Sequence, residues 1–471
     1  MSESNAAAAV PDAVAEGTTI MDREDRLKQD FVDRVLDAVE AGEDETARAL
    51  VAPLHPADVA DLIELARADE REGLVAALAG IVDADVLAEM NEHVRERLID
   101  EMEPQRLADF AGQLDTDDAV ALLKDLEDDE QRAVLRAMEP DDRAAIEEAL
   151  SYPDESAGRL MQRDLIAVPQ HWTVSQAIDY LRSGDELPTD FWEVFVVSPT
   201  HHPVGTCKLS TLLRSPGKIR VADIMLVDQT LIPVGMDQEE VALRFQKYAL
   251  ISAAVVDPSG RLVGMITVDD IVHIIQEEAG EDVLLLSGAG DGDINEPIQL
   301  TIRTRLSWLV VNLGTAILAA AVVGGFEAEI AKLAVLAVLM GIISGMGGNA
   351  GTQTLAVVVR ALATNQLTSS NTVRMVRREL VIALANGVVL ALITGGGTIL
   401  IYGNVRLGLV MGAAMIINNI VAGLSGILVP IGLEKMRIDP AVSSAVFVTM
   451  ATDVMGFFSF LGLAQLAGLA G

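Results

Sequence analysis

The sequence predicts a multidomain membrane protein with an all-α superhelical domain, an α+β part, a linker helix and an α-helical domain of five membrane spans. Hydrophobic residues make up 51% of the 471 residues, although the formal net charge is −36. Residues 301–471 hold 10 Lys and Arg against 6 Asp and Glu, whereas residues 1–300 hold 24 against 64. An acidic soluble half is therefore fused to an apolar half, and the apolar periodicity differs between them.

The apolar half contains five windows that are long enough to cross a bilayer, whose hydrocarbon core needs about 20 helical residues. Four of the windows carry no charge, and Asp453 interrupts the fifth. The predicted membrane domain covers residues 303–471. Its predicted spans are residues 306–326, 333–359, 380–405, 407–433 and 441–468.

Basic residues flank these spans unequally. Eight Lys and Arg lie on the side of the acidic half, and Lys332 and Arg406 lie on the other side. Cytoplasmic loops collect Lys and Arg, so we expect a multi-pass protein of the cell (inner) membrane with a cytosolic N-terminus and an outside C-terminus. Residues 1–25 lack a basic region followed by an apolar run, which predicts a disordered lead and no signal peptide.

Residues 26–156 predict a helical domain, because Leu, Ala and Val recur at three- and four-residue spacing among Asp and Glu. Three of its segments share a Pro near a helix start and an apolar stripe. They are residues 55–66, 103–114 and 139–150. A repeat of this kind favours helical pairs stacked into a superhelix.

The charge of the first 300 residues excludes nucleic acid as a partner, because phosphate contacts need Lys and Arg. It suits cations, although solubility alone would also explain it. Its acidic face includes Asp117 and Asp118, and most charge runs are only solvated faces. The single cysteine, Cys207, excludes a disulfide framework within one chain and is expected to be a small core residue.

From about residue 157 the pattern changes to short strands alternating with helices, in two copies at residues 157–220 and 221–277. The closing strand of the second copy places Gly264, Thr267 and Asp270 at three-residue steps. The two copies resemble a tandem pair of CBS domains, in which these positions often face an adenosine ribose. The resemblance leaves open an ATP-type ligand in the second copy only, since the first copy lacks the acidic residue.

A helix is predicted over residues 278–302, and it links the soluble half to the first span. Glu278, Glu281 and Asp282 share one face of it at three- and four-residue spacing. Like charges this close repel unless a cation lies between them, so this face is a candidate cation site. We found no P-loop, nucleophile elbow or zinc-ligand spacing in the sequence, which therefore predicts no enzyme.

Asp453 lies near the middle of the fifth span. A lone carboxylate at that depth usually faces a bundle interior or a pathway, which favours a cation site over a purely packing role. Mg²⁺ sheds water reluctantly and suits one or two carboxylates with neutral oxygens, and a two-fold axis would bring two Asp453 side chains together. Asn349 and Gln353 of the span-two tract GMGGNAGTQT, with Thr449, could supply neutral oxygens. Alternatively, the tract only packs helices closely.

The order of an acidic helical domain, a CBS pair, a linker helix and five spans resembles the MgtE magnesium transporters over nearly the whole chain. GGNAGTQ in span two and DPAVSSAVFVTMATDVMG at span five carry the resemblance further. It implies a homodimer with its pore on the two-fold axis. It also implies Mg²⁺ transport into the cytosol, with Asp453 as the pore carboxylate for hydrated Mg²⁺.

The resemblance further implies that cytosolic Mg²⁺ closes the pore through a plug helix at about residues 280–300. The expected regulatory carboxylates are Asp270, Glu278, Glu281 and Asp282, to which we add Asp117 and Asp118 of the acidic face. The chain departs from the family at Ala445 and Val446, where a small or amide residue and then Pro are usual, and at Gly423, where Asn is usual.

Two alternative functions stay open. One is transport of another divalent cation, Mn²⁺ or Co²⁺, which sequence does not distinguish from Mg²⁺. The other is a membrane-anchored nucleotide sensor that conducts nothing, although an anchor needs no carboxylate at mid-membrane depth.

Overall fold

A computed structural model describes residues 20–24, 26–100, 102–124, 126–183, 187–188, 191–288, 292, 295–368, 370–442 and 444–469. The described chain falls into two compact units, the first ending at Val272 and the second beginning at His273. Most of the predicted lead at residues 1–25 lies outside the described residues. Ile20 and Met21 pack against the core of the first unit, so the folded domain begins earlier than the predicted residue 26.

Short helices build the first part of the first unit. They are α1 (Gln29–Glu40), α2 (Asp44–Val51), α3 (Pro56–Leu65), α4 (Ala68–Ala77), α5 (Ala84–Ala88), α6 (Glu92–Ile99), α7 (Pro104–Ala111), α8 (Thr116–Leu123), α9 (Asp128–Ala137) and α10 (Pro140–Leu150). Helix α3 packs on α5, α7 on α9, and α8 on α10. Packing between alternate helices is typical of a superhelix, and the predicted all-α domain is confirmed.

The three predicted repeat segments each begin a helix. Pro56, Pro104 and Pro140 occupy the first turn of α3, α7 and α10. Proline is favourable there, because its missing N–H would have no partner inside the helix and its fixed φ suits helical backbone. The apolar stripes of these helices face one continuous core, in which Leu62 and Leu123 are fully buried. Each such side chain contributes about 1.5–3 kcal/mol by leaving water.

The second part of the first unit contains two copies of one β-α-β-β-α unit. The elements are β1 (Ala167–Pro169), α11 (Val174–Ser183), β2 (Glu193–Val197), β3 (Pro203–Lys208), α12 (Leu209–Arg214), β4 (Leu231–Pro233), α13 (Gln238–Tyr248), β5 (Ser252–Val256), β6 (Leu262–Thr267) and α14 (Val268–Ser287). In each copy the first two strands pair in parallel and the last two pair antiparallel. The predicted tandem repeat is confirmed.

The two sheets share a core. Phe195 of the first sheet packs with Ala254 and Met265 of the second. Cys207 is buried in the first sheet, as predicted, and burial raises the pKa of its thiol to about 11. The cysteine is therefore an apolar packing residue.

The linker helix differs from the prediction in both of its limits. Helix α14 starts at Val268, directly after β6, and ends at Ser287, whereas the predicted helix spans residues 278–302. Gly288 follows with φ +67°, a left-handed conformation that ends helices and that glycine adopts without strain. Part of the predicted plug segment, residues 289–291 and 293–294, lies outside the described residues.

Among the described residues of the second unit, five helices are long and apolar enough to span a membrane, as predicted. They are α15 (Ile298–Gly324), α17 (Val335–Ala363), α18 (Thr372–Tyr402), α19 (Val405–Lys435) and α20 (Ser444–Leu466), with the short helix α16 (Glu327–Lys332) after the first. Helices α15 and α18 each begin about two turns before the predicted windows and include basic residues. The reason is that helical hydrogen bonding continues past the end of an apolar run.

Helix α19 is the centre of the membrane unit, packed against α17, α18 and α20. Small residues line its contact with α18. A Cβ atom built on Gly395 would lie 2.7 Å from the carbonyl oxygen of Gly408, and one built on Gly408 would lie 2.6 Å from the carbonyl oxygen of Gly395. The two backbones therefore touch, which is how membrane helices gain van der Waals contact without a hydrophobic driving force.

We expect Gly395→Val to destabilise the membrane unit by about 1–3 kcal/mol, the usual cost of overpacking. The matched control is Gly396→Val, because a Cβ atom at Gly396 meets no atom within 4 Å. The measurement is the apparent melting temperature of the full-length protein in detergent, which should fall only for Gly395→Val. Equal melting temperatures for the two variants would contradict the packing described for α18 and α19.

Candidate functional site

Asp453 lies near the middle of α20, half-buried within the membrane unit. The hydroxyl of Ser344 on α17 donates a hydrogen bond of 2.5 Å to its Oδ1 atom. A hydrogen bond to a carboxylate is stronger than one between neutral groups. The structure therefore fixes one carboxylate oxygen near the middle of α20 and ties α20 to α17.

The three predicted partners of Asp453 lie elsewhere on these helices. Thr449 is half-buried one turn before Asp453 on α20, whereas Asn349 and Gln353 are exposed on α17. Sequence reasoning missed Ser344, the residue that contacts Asp453. Its signal was weak, because a serine in a membrane helix commonly bonds to its own backbone.

Glu379 is a second carboxylate within a membrane helix that the sequence analysis missed. It belongs to α18 and is buried, and the hydroxyl of Thr354 lies 3.5 Å from its Oε2 atom. The predicted third span began at residue 380, which left Glu379 outside the charge-free window. Its burial comes from the extension of α18 by two turns before that window.

In the first unit, three of the predicted regulatory residues lie close together. Asp117 and Asp118 begin α8, and Asp270 begins α14. Burial raises the pKa of the Asp117 carboxyl well above its usual value, and the negative charges of Asp270 and Asp118 raise it further. Oδ1 of Asp117 is buried without a hydrogen-bond partner among the described residues.

The other two carboxyls of this cluster are also shifted. Burial, with repulsion from Asp115 and Glu89, raises the pKa of Asp118 to about 6. Burial raises the pKa of Asp270 to about 6, although the hydrogen bond from Thr267 opposes the shift. We call Asp117, Asp118 and Asp270 the acidic cluster. Bringing these groups together costs free energy at neutral pH, and a bound cation would offset that cost.

The acidic cluster is not a preformed cage for a bare ion. Within the described ranges, no three His, Cys, Asp or Glu side chains are spaced to hold one metal ion directly. Mg²⁺ usually keeps several waters and needs only one or two carboxylates. The donor set therefore suits a divalent cation that keeps its hydration shell.

The second group of predicted regulatory residues lies further along α14. Asp282 and Glu278 are half-buried and Glu281 is exposed. Burial raises the pKa of Asp282, and repulsion from Asp439 adds to the shift. Asp439 precedes α20, and sequence reasoning missed it because the loop before α20 was judged only by its basic residues.

The end of α14 is packed against the membrane helices. Leu285 and Leu286 contact a cluster that includes Leu355 and Val359 of α17 and Val448 of α20. Asp282 lies one turn before these leucines on the same helix. A cation held between Asp282 and Asp439 would therefore hold α14 against α17 and α20, the helices that carry Ser344 and Asp453.

The predicted nucleotide residues are engaged with protein atoms. The hydroxyl of Thr267 donates to Oδ2 of Asp270 at 2.7 Å, and Nε2 of Gln162 donates to the same oxygen at 3.1 Å. A Cβ atom on Gly264 would lie 2.8 Å from Sδ of Met161. Asp270 also belongs to the acidic cluster, so a nucleotide and a cation would share this carboxylate.

Comparison with known proteins gives three family matches along the chain. Residues 54–155 match the MgtE intracellular N domain, residues 221–277 match the CBS domain, and residues 340–463 match the MgtE divalent cation transporter family. The chain is 28% identical over 432 residues to the magnesium transporter MgtE of Bacillus subtilis, covering 92% of this chain and 96% of the relative. It is 32% identical over 319 residues to the magnesium transporter MgtE of Enterococcus faecalis, covering 67% and 70%.

A solved structure of the cytosolic domain of the Mg²⁺ channel MgtE in complex with ATP is 27% identical. The match covers 52% of this chain and 99% of that one, with a TM-score of 0.47. The five apolar helices among the described residues and the match to the divalent cation transporter family identify the class as a membrane transporter of divalent cations. The chain belongs to the MgtE family of magnesium transporters.

We expect Asp117→Asn to stabilise the protein without divalent cations by about 1–3 kcal/mol at pH 7.5, because it removes one negative charge from a buried group of carboxylates. A raised pKa means that the cluster is most stable when protonated and loses stability as pH rises through about 6. The melting temperature of the wild type should therefore fall between pH 5 and pH 7.5 by more than that of Asp117→Asn.

Asp141→Asn is the matched control for this experiment, since Asp141 is exposed at the start of α10. It should follow the wild type at both pH values. A melting temperature for Asp117→Asn below that of the wild type at pH 7.5 would show that repulsion within the acidic cluster does not destabilise the folded protein.

Proposed function

We propose that the protein transports Mg²⁺ into the cytosol through a pore formed by two copies of the chain, with Asp453 as the pore carboxylate. The observation that carries the proposal is a carboxylate near the middle of α20, oriented by Ser344, in a chain of the MgtE family. A charged group at this depth is costly and marks ion pathways.

The chemistry of Mg²⁺ favours two copies of the site. One carboxylate is a weak ligand by itself, whereas two, related by a two-fold axis, could hold one hydrated ion through its water shell. Asn349 and Gln353 are exposed polar residues on a membrane-spanning helix, and Gly345 and Gly348 on the same helix have open space beside them. Such a surface suits water and a second copy better than lipid.

The orientation follows from charge. The loops on the side of the acidic half carry most of the Lys and Arg, and cytoplasmic loops collect these residues. The N-terminus then lies in the cytosol and the C-terminus outside. The acidic half thereby faces the compartment that the transported ion enters, which suits feedback control.

Cytosolic Mg²⁺ closes the pore by binding better to the closed arrangement than to the open one. A shift from mostly open to mostly closed needs about 5.5 kcal/mol of differential binding. Sites that each supply about 1–3 kcal/mol can share this. The acidic cluster and the pair formed by Asp282 and Asp439 are two such sites. In each of them a bound cation offsets the free-energy cost of burying carboxylates close together.

A nucleotide is a further candidate ligand. Gly264, Thr267 and Asp270 have the spacing of a CBS ribose site, and Thr267 already orients the Asp270 carboxylate. An ATP-type ligand there would act on gating through Asp270, which it would share with the acidic cluster. Mn²⁺ and Co²⁺ are alternative cargoes for the same pore, and competition with Mg²⁺ uptake separates them.

Replacing Asp453 should abolish transport. We expect Asp453→Ala and Asp453→Asn to lose Mg²⁺ uptake in liposomes by at least about 100-fold, since a neutral side chain leaves the ion without a counter-charge at mid-membrane. Wild-type protein and Asp439→Asn, measured without internal Mg²⁺, are the positive controls. Normal uptake by folded Asp453→Ala would sink the pore assignment.

Neutralising the second regulatory pair should weaken feedback. We expect Asp282→Asn and Asp439→Asn each to raise the internal Mg²⁺ concentration that halves uptake by about tenfold, equal to about 1.4 kcal/mol. Glu434→Gln is the matched control, because Glu434 is exposed at the end of α19. Unchanged inhibition in both aspartate variants would contradict a cation bridge between these residues.

A further inference from the structure

Asn418 lies in the middle of α19 with no exposed surface. Its Nδ2 atom donates to the carbonyl oxygen of Ile343 on α17 at 2.8 Å. A Cβ atom built on Gly347 of α17 would lie 2.1 Å from that nitrogen, and one built on Gly456 of α20 would lie 3.0 Å from it. Two neighbouring helices therefore approach this one amide as closely as backbone atoms allow.

These contacts surround the bond between Ser344 and Asp453. The carbonyl that Asn418 holds belongs to Ile343, the residue directly before Ser344. Gly456 follows Asp453 by three residues, which is about one helical turn. The amide thus fixes the helix that carries the donor and the helix that carries the acceptor, each within one turn of the hydrogen bond.

We propose that Asn418 and Ser344 are positioning residues for the cation-binding carboxylate, a proposal that rests on the proposed pore function of Asp453. Asn418 sets the spacing and rotation of α17 against α20. Ser344 then holds Oδ1 of Asp453, which leaves Oδ2 for the hydration shell of the ion. The pore carboxylate is in this way preorganised by α17 and α19, both of which pack against α20.

Asn419 provides a contrast within the same helix. It is buried like its neighbour, with 1% of its surface exposed. Its Nδ2 atom donates to the carbonyl oxygen of Met415 in α19 itself, and its Cβ faces Gly387 of α18. Replacement of Asn419 therefore removes a buried amide of the same size without touching the contacts around Asp453.

The test is a double-mutant cycle on Mg²⁺ uptake by the full-length protein in liposomes, measured over a range of external Mg²⁺. We expect Ser344→Ala to raise the half-saturating concentration about tenfold, as the loss of a charge-assisted hydrogen bond would. We expect Asn418→Ala to raise it as well. The double variant should be no worse than the more severe single variant, because both changes remove the same restraint.

The controls separate positioning from general destabilisation. Ser344→Thr keeps the hydroxyl and should restore the wild-type half-saturating concentration. Asn419→Ala combined with Ser344→Ala should give the product of the two single effects. If Asn418→Ala does not fold, Gly456→Ala, which places a methyl group against the amide, takes its place in the cycle.

Two results would overturn the proposal. One is a wild-type half-saturating concentration in Ser344→Ala, and the other is a double variant of Ser344 and Asn418 whose effect equals the product of the single effects. If Asp453→Ala loses uptake in the same experiments, the pore assignment stands and only the positioning role fails. Normal uptake by Asp453→Ala would remove the proposed function itself.

Discussion

The cost of taking a carboxylate out of water is the constraint on which the rest of the structure depends. An isolated ionised group loses much of its hydration on burial, and nearby carboxylates add repulsion. This chain accepts that cost at Asp453 in the membrane unit, at the acidic cluster in the soluble unit, and at Asp282 beside Asp439. In each place a bound cation would offset the cost of removing the carboxylate from water. In the proposed function, conduction and regulation therefore depend on the same interaction between carboxylate and cation.

The packing of the membrane unit follows from the need to hold one charge at a defined depth. Helix α19 has no acidic or basic residue between Arg406 and Glu434, and its small residues let α18 approach to backbone contact. Close packing on one side of α19 leaves its other side to hold α17 and α20 through Asn418. A looser core would let the helix that carries Asp453 rotate, because lipid tails give neighbouring helices no apolar reason to stay in register.

The sequence was sufficient for the large-scale architecture because the periods of its apolar residues are distinct. Unbroken apolar runs predicted the five membrane helices, and short strands alternating with helices predicted the two-copy α+β part. Contacts between distant residues were not predictable in this way. Ser344 and Asp453 are 109 residues apart, and nothing in the local pattern of either indicates the other. Asp117 and Asp270 lie even further apart in the sequence, and only the folded structure shows that the charge of Asp270 raises the pKa of Asp117.

The limits of the linker helix show the same distinction. Both its end at Ser287 and its start at Val268 differ from the predicted limits. A helix that grows directly out of a strand has no polar loop before it, so the boundary between sensor and linker is invisible in the residue pattern. Asp270 consequently belongs to the helix whose later turns carry Asp282, and one continuous helix joins the residues of both proposed regulatory sites.

Under the proposed function, the raised pKa values make the acidic cluster responsive to pH as well as to Mg²⁺. With a pKa of about 6, Asp118 and Asp270 are about nine-tenths ionised at pH 7 and about half ionised at pH 6. A proton removes the same repulsion that a cation removes, so under the proposed function protons and Mg²⁺ compete for the acidic cluster. Acidification therefore both weakens Mg²⁺ binding there and stabilises the same arrangement without it. Under the proposed function the cluster therefore responds best to Mg²⁺ at neutral pH, where its carboxylates are charged.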